Sequence, residues 1–206
     1  MPKTHLIPSL ALALATFAAA PALDAAGRLE TAVFAGGCFW TVQHDFESIP
    51  GVVDTVAGYS GGTEPNPTYD LVSGETTHYL ESVKVTFDPA KISYRQLADH
   101  YWRMIDPTDA GGQVCDQGPS YHSAIFVASP EQQKDAEASK AAIDNGPRQG
   151  KIATVIRAAM PFYPAEAYHQ HYADRNPMSY GAYRIGCGRD RRLAVIWRGD
   201  KLAAEK

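Results

Sequence analysis

From His78 to Phe87 the residues alternate, and that run fixes a strand in the middle of the chain. Tyr79, Glu81, Val83, Val85 and Phe87 share one face, and Leu80, Ser82, Lys84 and Thr86 share the other. Successive strand side chains point to opposite sides, so the apolar face must be covered by a second layer. Asp88-Pro89 ends the run, because proline lacks an N–H for the ladder. Further strands are expected over Thr31–Ala35, Val52–Ala57, Tyr121–Ala128 and Ile152–Ile156.

Helical spacing of Trp40, Phe46 and Ile49 predicts a helix stopped by Pro50-Gly51. Ser93 caps a second, running to about Ile105, and Ser129-Pro130-Glu131-Gln132 is a good start for a third. The third ends at Asn145-Gly146-Pro147, and a short helix over Ala165–Asp174 is closed by Asn176-Pro177. The tail from Met178 reads as a basic loop, with Arg184, Arg189, Arg191 and Arg192. Strands and helices mix without regular βαβ alternation, so the expected class is α+β.

The start of the chain reads differently. One lysine at position 3 precedes an apolar run from Leu6 to Ala19, and Ala20-Pro21-Ala22 follows as a small-x-small cleavage pattern. This is the layout of a secretory signal peptide over residues 1–22, and it is too short to span a bilayer. No cysteine follows the cleavage pattern, so a lipid anchor is not expected, and nothing later reads as a transmembrane helix. Residues 28–206 are expected to form one catalytic domain, secreted or periplasmic, where thiols can be oxidised. With 19 basic against 23 acidic residues the net charge is -4, which argues against nucleic acid or an anionic membrane as partner. Three cysteines cannot make a dense disulfide framework, and the odd count leaves at least one thiol with another task.

That thiol is Cys38. It follows Gly36-Gly37, between a strand and a helix, where backbone can approach a ligand closely and unpaired N–H groups favour thiolate. Phe39 and Trp40 supply an apolar wall. Glu81 is the second feature: it is either a partly buried acid with a raised pKa, able to donate a proton near neutral pH, or a solvated residue at the strand's start.

These residues resemble the A-type peptide methionine sulfoxide reductases. The signature is Gly37-Cys38-Phe39-Trp40, and the likeness continues in order through Pro50-Gly51-Val52, Ala57-Gly58-Tyr59-Ser60-Gly61-Gly62 and Pro65-Asn66-Pro67-Thr68-Tyr69. It goes on through Ile105-Asp106-Pro107-Thr108, Asp116 with Tyr121-His122-Ser123-Ala124-Ile125, and Phe162 to Tyr172.

The resemblance implies a two-layer, mixed-sheet α+β roll with helices and a long coil C-terminal segment. It implies Cys38 as nucleophile on the sulfoxide sulfur, Phe39 and Trp40 as the methyl pocket, and Glu81 as acid. Tyr69 and Tyr121 would hold the sulfoxide oxygen, and Asp116 would orient the site. The implied reaction reduces the S epimer of methionine sulfoxide, in oxidised proteins and as the free amino acid. It passes through a Cys38 sulfenic acid and a disulfide, with no metal or organic cofactor and a thioredoxin-like protein as reductant. A monomer is expected.

Three departures from the family pattern matter. The run Thr77-His78-Tyr79-Leu80-Glu81 is one residue longer than usual, which leaves the role of His78 open. Cys115 precedes Asp116 where asparagine is common. Gly181 stands where the family's resolving cysteine usually lies, and Cys187, flanked by glycines, comes later. Cys187 is the favoured resolving thiol, Cys115 the alternative, and a relay through both is a third possibility. His169 and His171, two apart on the expected helix, face different ways, so no metal site is expected there. The competing readings are a thiol peroxidase, which needs neither Glu81 nor the aromatic pocket, and a binding module whose cysteines are structural.

Overall fold

The computed structural model describes residues 27–144 and 150–200, together with Met1. The leader expected over residues 1–22 and the helix stop at Asn145-Gly146-Pro147 lie outside the described residues.

Strand β1 (Glu30–Gly36) runs into helix α1 (Phe39–Glu47), and β2 (Val52–Ser60) follows after Gly51. Next come α2 (Tyr69–Ser73), β3 (Leu80–Phe87), α3 (Tyr94–Arg103) and a small hairpin of β4 (Gly112–Gln113) and β5 (Asp116–Gln117). A short 3-10 turn at Pro119–Tyr121 leads to β6 (Ser123–Val127), α4 (Pro130–Asp144), β7 (Val155–Ala158) and β8 (Phe162–Pro164). The chain closes with α5 (Tyr172–Arg175), α6 (Pro177–Cys187) and α7 (Arg189–Ile196).

Six strands form one mixed sheet in the order β7-β6-β1-β3-β2-β8. Only β6 and β7 pair in parallel; the other neighbours are antiparallel. The fold is therefore α+β, as the pattern of elements requires. Phe34 and Val83 face one another in register and join Val85, Phe46, Leu97 and Trp102 in the main core. Phe34 stacks between Phe46 and Tyr101, each at 5.0 Å. The opposite face of the sheet carries a smaller cluster of Ala35, Leu80, Ala124 and Phe126. Each fully buried large apolar side chain contributes roughly 1.5–3 kcal/mol. The core therefore supplies the rigidity on which the site rests.

Local sequence explains the element ends. Ser93 and Gln96 make a full capping box at the start of α3, which offsets two otherwise unpaired N–H groups. Gly37 has φ +79, and a Cβ there would lie 2.5 Å from Gln113 Cβ, so only glycine fits the turn before Cys38.

Four expectations need correction. β3 starts at Leu80, not His78, because His78 turns outward to Glu64. The strand expected at Ile152 begins at Val155, because the N–H groups of Ala153 and Thr154 donate to Pro107 O rather than to a ladder. The helix expected over Ala165–Asp174 is mostly a turn, flanked by β8 and the short α5. Here His171 takes a left-handed conformation (φ 50), and Gln170 is bonded to the backbone of Ala57 and Ala165. Finally, the C-terminal segment is not a long coil: it forms α6 and α7. Its glycines misled the reading, since Gly181 and Gly186 sit inside α6 and only Gly188 (φ +74) breaks it.

Candidate active site

Cys38 is the N-cap of α1, and its carbonyl accepts the first helical bonds from Thr41 and Val42. The next N–H, of Phe39, donates to Glu81 Oε2 at 2.9 Å. Glu81 lies on the helix side of β3, opposite Tyr59. It is 2% exposed, which settles the open question of its burial. Burial pushes its carboxyl up to about 8, against the Phe39 N–H, and nearby Asp116 adds to the rise. Glu81 is thus a protonated acid at neutral pH, beside the cysteine.

Cys38 is free, buried, and does not show the lowered pKa that its place at a helix N-terminus suggests. Burial raises its thiol well above the usual range, and Glu81 and Asp116 raise it further. The Tyr183 hydroxyl and the Trp40 N–H work the other way but do not prevail. The apolar wall costs the thiolate more than the helix end returns.

Around these two groups the structure gathers the other expected residues. Tyr69 lies against Phe39 (6.5 Å between rings) and His169 (4.4 Å). Burial first, then Glu81 and Cys38, push its phenol up to about 12. Tyr121 is raised as well, by burial and then by the field of Glu81, Tyr69 and Cys38. Both phenols stay protonated and can donate. Trp40 stacks on Tyr172 at 3.8 Å, nearly parallel, a contact worth about 0.5–1.5 kcal/mol beyond its area. Its indole N–H donates to His169 Nδ1 at 3.1 Å. Asp116 Oδ2 accepts from the Tyr183 hydroxyl at 2.6 Å, and that hydroxyl is also within hydrogen-bonding reach of Cys38. Burial raises the Asp116 carboxyl, while the Tyr183 hydroxyl and Arg189 oppose the rise.

Several residues here were not anticipated. Tyr183 is four residues before Cys187, one turn of α6, and reading the tail as a loop hid that spacing. Glu166 accepts from the Tyr59 hydroxyl and the Tyr69 N–H, and so fixes Tyr69. His169 is 1% exposed, and burial lowers its pKa. The indole can only donate, so His169 Nδ1 accepts and Nε2 carries the proton of the neutral ring. His78 is outside the site: it is exposed and pairs with Glu64 at 2.5 Å.

Cys115 and Cys187 are joined in a disulfide, with Cα atoms 5.1 Å apart, while Cys38 keeps its thiol. Cys115 is exposed and Cys187 half-buried. Ligand atoms of Cys115, Asp116 and Cys187 lie within 4.8 Å of one another, as do those of His44, Glu47 and Asp174. In the first group the two sulfurs are bonded to each other. In the second, Glu47 is engaged by Thr55 and His171.

A buried thiol beside a protonated carboxyl, ringed by phenols and an indole, with the other two cysteines oxidised to each other nearby, defines a thiol oxidoreductase. The comparisons narrow this class. Residues 30–201 match the family model of peptide methionine sulfoxide reductase. The peptide methionine sulfoxide reductase MsrA 2 of Caulobacter vibrioides is 52% identical over 196 residues, covering 95% of this chain and 99% of that protein. MsrA of Bacillus subtilis is 46% identical over 171 residues, 82% of this chain and 97% of that protein. Among solved structures, methionine sulfoxide reductase A of Corynebacterium diphtheriae superposes with a TM-score of 0.64 at 32% identity, covering 74% of this chain and 78% of that one. The reduced form of Mxr1 from Saccharomyces cerevisiae gives 0.65 at 35% identity, covering 75% and 89%. The chain belongs to the A-type peptide methionine sulfoxide reductases.

Proposed function

We propose that this enzyme reduces the S epimer of methionine sulfoxide, in oxidised proteins and as the free amino acid, through Cys38. The observation that carries the reading is the Phe39–Glu81 hydrogen bond: it holds a neutral buried acid next to the one free thiol. Cys38 attacks the sulfoxide sulfur while Glu81 gives its proton to the sulfoxide oxygen, which is a poor leaving group until protonated. Tyr69 and Tyr121 donate to the same oxygen as charge develops on it. Phe39 and Trp40 take the methyl group. The oxygen passes to Cys38 as a sulfenic acid, and methionine leaves.

The Cys115–Cys187 disulfide supports a relay for the next steps. Cys187, the inner sulfur, attacks the Cys38 sulfenic acid, and the S–O bond breaks to release water. Cys115 then attacks Cys187, and Cys38 leaves as a thiol again. The exposed Cys115 sulfur is the one open to an external dithiol protein of thioredoxin type. No prosthetic group is needed for any step. A binding module could share the buried Cys38 and the disulfide, but it has no use for a protonated Glu81 beside the thiol. Family membership favours the enzyme over that module and over a peroxidase.

We read the protein as a monomer of the periplasm or exterior, led there by residues 1–22, with residues 28–206 as its catalytic domain. No helix among the described residues is long and apolar enough to cross a membrane. The test is methionine formation from each epimer of a methionine sulfoxide peptide. Product from the S epimer alone, lost in Cys38→Ser, is the expected result. Product from both epimers, or from the serine variant, would overturn it.

A further inference from the structure

Arg189 opens α7 and is 0% exposed. Its Nη2 donates to the carbonyl of Gly36 at 2.8 Å and to that of Met104 at 2.9 Å. Nη1 stands 3.3 Å from where a Cβ on Gly37 would lie. Nε and Nη1 have no hydrogen-bond partner, and no carboxylate forms an ion pair with this guanidinium among the described residues. A buried cation with unmade bonds is costly, and an apolar side chain of similar size would pack without that cost. The cost needs a reason beyond packing.

Position supplies one. Arg189 follows Cys187 by two residues, across the left-handed Gly188. The carbonyl it holds belongs to Gly36, two residues before Cys38. One side chain therefore bonds the turn that carries the nucleophile to the backbone that carries the capturing thiol. The rest of α7 is fixed to the same region: Arg192 pairs with Asp106 at 2.7 Å, and the Trp197 indole donates to Ile105 O at 3.1 Å.

We propose that Arg189 is a positioning residue that locks the Cys187 segment to the Gly36-Gly37 turn beneath Cys38, so that capture of the Cys38 sulfenic acid occurs in a preset geometry. The inference rests on the reading of Cys38 as nucleophile and Cys187 as captor. The step it governs joins Cys38 Sγ–OH and Cys187 Sγ–H into a disulfide and one water. Holding the two sulfurs in register converts that encounter into a fast intramolecular one, ahead of further oxidation of the sulfenic acid.

The charge has a second effect, through Asp116. Asp116 faces Tyr183 on α6, Arg189 on α7, Cys38 at the cap of α1, Glu81 on β3, Tyr69 on α2 and Tyr121 in the 3-10 turn, beside the sulfurs of Cys115 and Cys187. Among these groups only Arg189 is cationic. It favours the ionised carboxylate that holds the Tyr183 hydroxyl.

The test compares Arg189→Met and Arg189→Lys in the fully reduced protein, given one equivalent of sulfoxide and no reductant. Two quantities are read: Cys38 sulfenic acid trapped by dimedone, and the pH dependence of methionine release. In Arg189→Met trapping should rise about tenfold, and the acidic limb of the pH profile should move up, because Arg189 no longer favours the ionised Asp116. Arg189→Lys keeps the charge but not the fork. It should restore the limb and leave trapping raised. If Arg189→Met does not fold, trapping in Arg189→Lys decides alone. Trapping and pH limb at wild-type values in the folded variants would overturn the proposal. Methionine release that survives Cys38→Ser would instead overturn the reading on which it rests.

Discussion

The two halves of the site are held by different forces. Cys38 and Glu81 sit on β1, α1 and β3, where the surrounding residues are buried and mostly apolar, and the sheet register fixes them to within a hydrogen bond. Cys187 sits at the end of α6, which buries only Tyr180 and leaves Met178 and Ile185 exposed. Polar contacts fasten this second region. Arg184 donates to Asp45 at 2.8 Å, to the Tyr180 hydroxyl at 2.7 Å and to Asp190 at 2.8 Å, and Tyr183 donates to Asp116. Burial makes a geometry that does not change during turnover. On the proposed relay these hydrogen bonds and ion pairs, with the Arg184 and Asp45 side chains 17% and 8% exposed, are the contacts that must break and re-form as the disulfide is handed onward.

The sharpest way to break this comparison is to remove a group from the buried half. Cys38→Ser should abolish methionine release, a loss of more than about four orders of magnitude, with the fold intact by circular dichroism and no Cys115–Cys187 link formed from the reduced protein on adding sulfoxide.

Glu81→Gln should cost about 10²–10⁴-fold in the first step. In the wild type the same step should slow as pH rises through about 8, where Glu81 loses its proton, and that limb should vanish in the variant. Stability gives an independent check. The folded-state pKa is raised, so between about 4.5 and 8 the unfolded chain is ionised at Glu81 while the folded chain keeps the proton. The Glu81 contribution is full below that window and is lost across it, at about 1.4 kcal/mol per pH unit. Glu81→Gln should therefore gain stability relative to wild type from pH 5 to pH 8 in urea melts.

Cutting the polar half should do something else. Asp45→Asn removes the carboxylate that anchors Arg184, a loss of about 1–3 kcal/mol by thermal melting. It should slow reductant-driven turnover by about tenfold through the misplaced α6. The first methionine should be slowed less than turnover, because Cys38 and Glu81 keep their places on α1 and β3 and only the Tyr183 contact from α6 to the thiol and Asp116 is disturbed. An equal loss in both phases would mean that the two regions are one mechanical unit.

The smallest effect is expected at the pocket wall. His169→Phe removes the acceptor of the Trp40 indole and leaves a part-buried N–H unpaired, at a cost of about 1 kcal/mol. On the proposed reading, in which Trp40 meets the substrate methyl group and not the oxygen, it should raise KM for sulfoxide peptides several-fold more than it lowers kcat.

Sequence legibility divides along the same line. The run ending in Glu81-Ser82-Val83 shows its period because one face meets a core, and the Gly36-Gly37 turn shows because a positive φ and a close neighbour leave no other residue. The buried half was therefore readable as far as Cys38 and the strand that carries Glu81, while the burial of Glu81 itself stayed open until the fold was in view. In the polar half Cys115, Asp116 and Cys187 were named through the family resemblance, but their contacts were not readable. Those contacts link residues far apart in the chain, such as Asp45 with Arg184 and Asp116 with Tyr183, and no periodicity marks them. Glycines at 181 and 186 imitate a loop inside α6, so Tyr183 and Cys187 were not seen to share a helix face. The thiol's raised pKa also escaped the sequence, because a helix N-terminus is a local signal and the desolvation that outweighs it comes from the whole fold.

The most direct test of the central claim, that Cys38 reacts and the Cys115–Cys187 pair takes the oxidation from it, is a count of methionine released per reduced enzyme without reductant, followed by disulfide mapping. Excess S sulfoxide should yield two methionines: one oxidises the cysteine pair, and the freed Cys38 then reduces a second sulfoxide. The Cys115→Ser variant should yield one and stop at a Cys38–Cys187 link. One methionine from the wild type with Cys38 locked in a disulfide, or none with Cys38 still reduced, would contradict it.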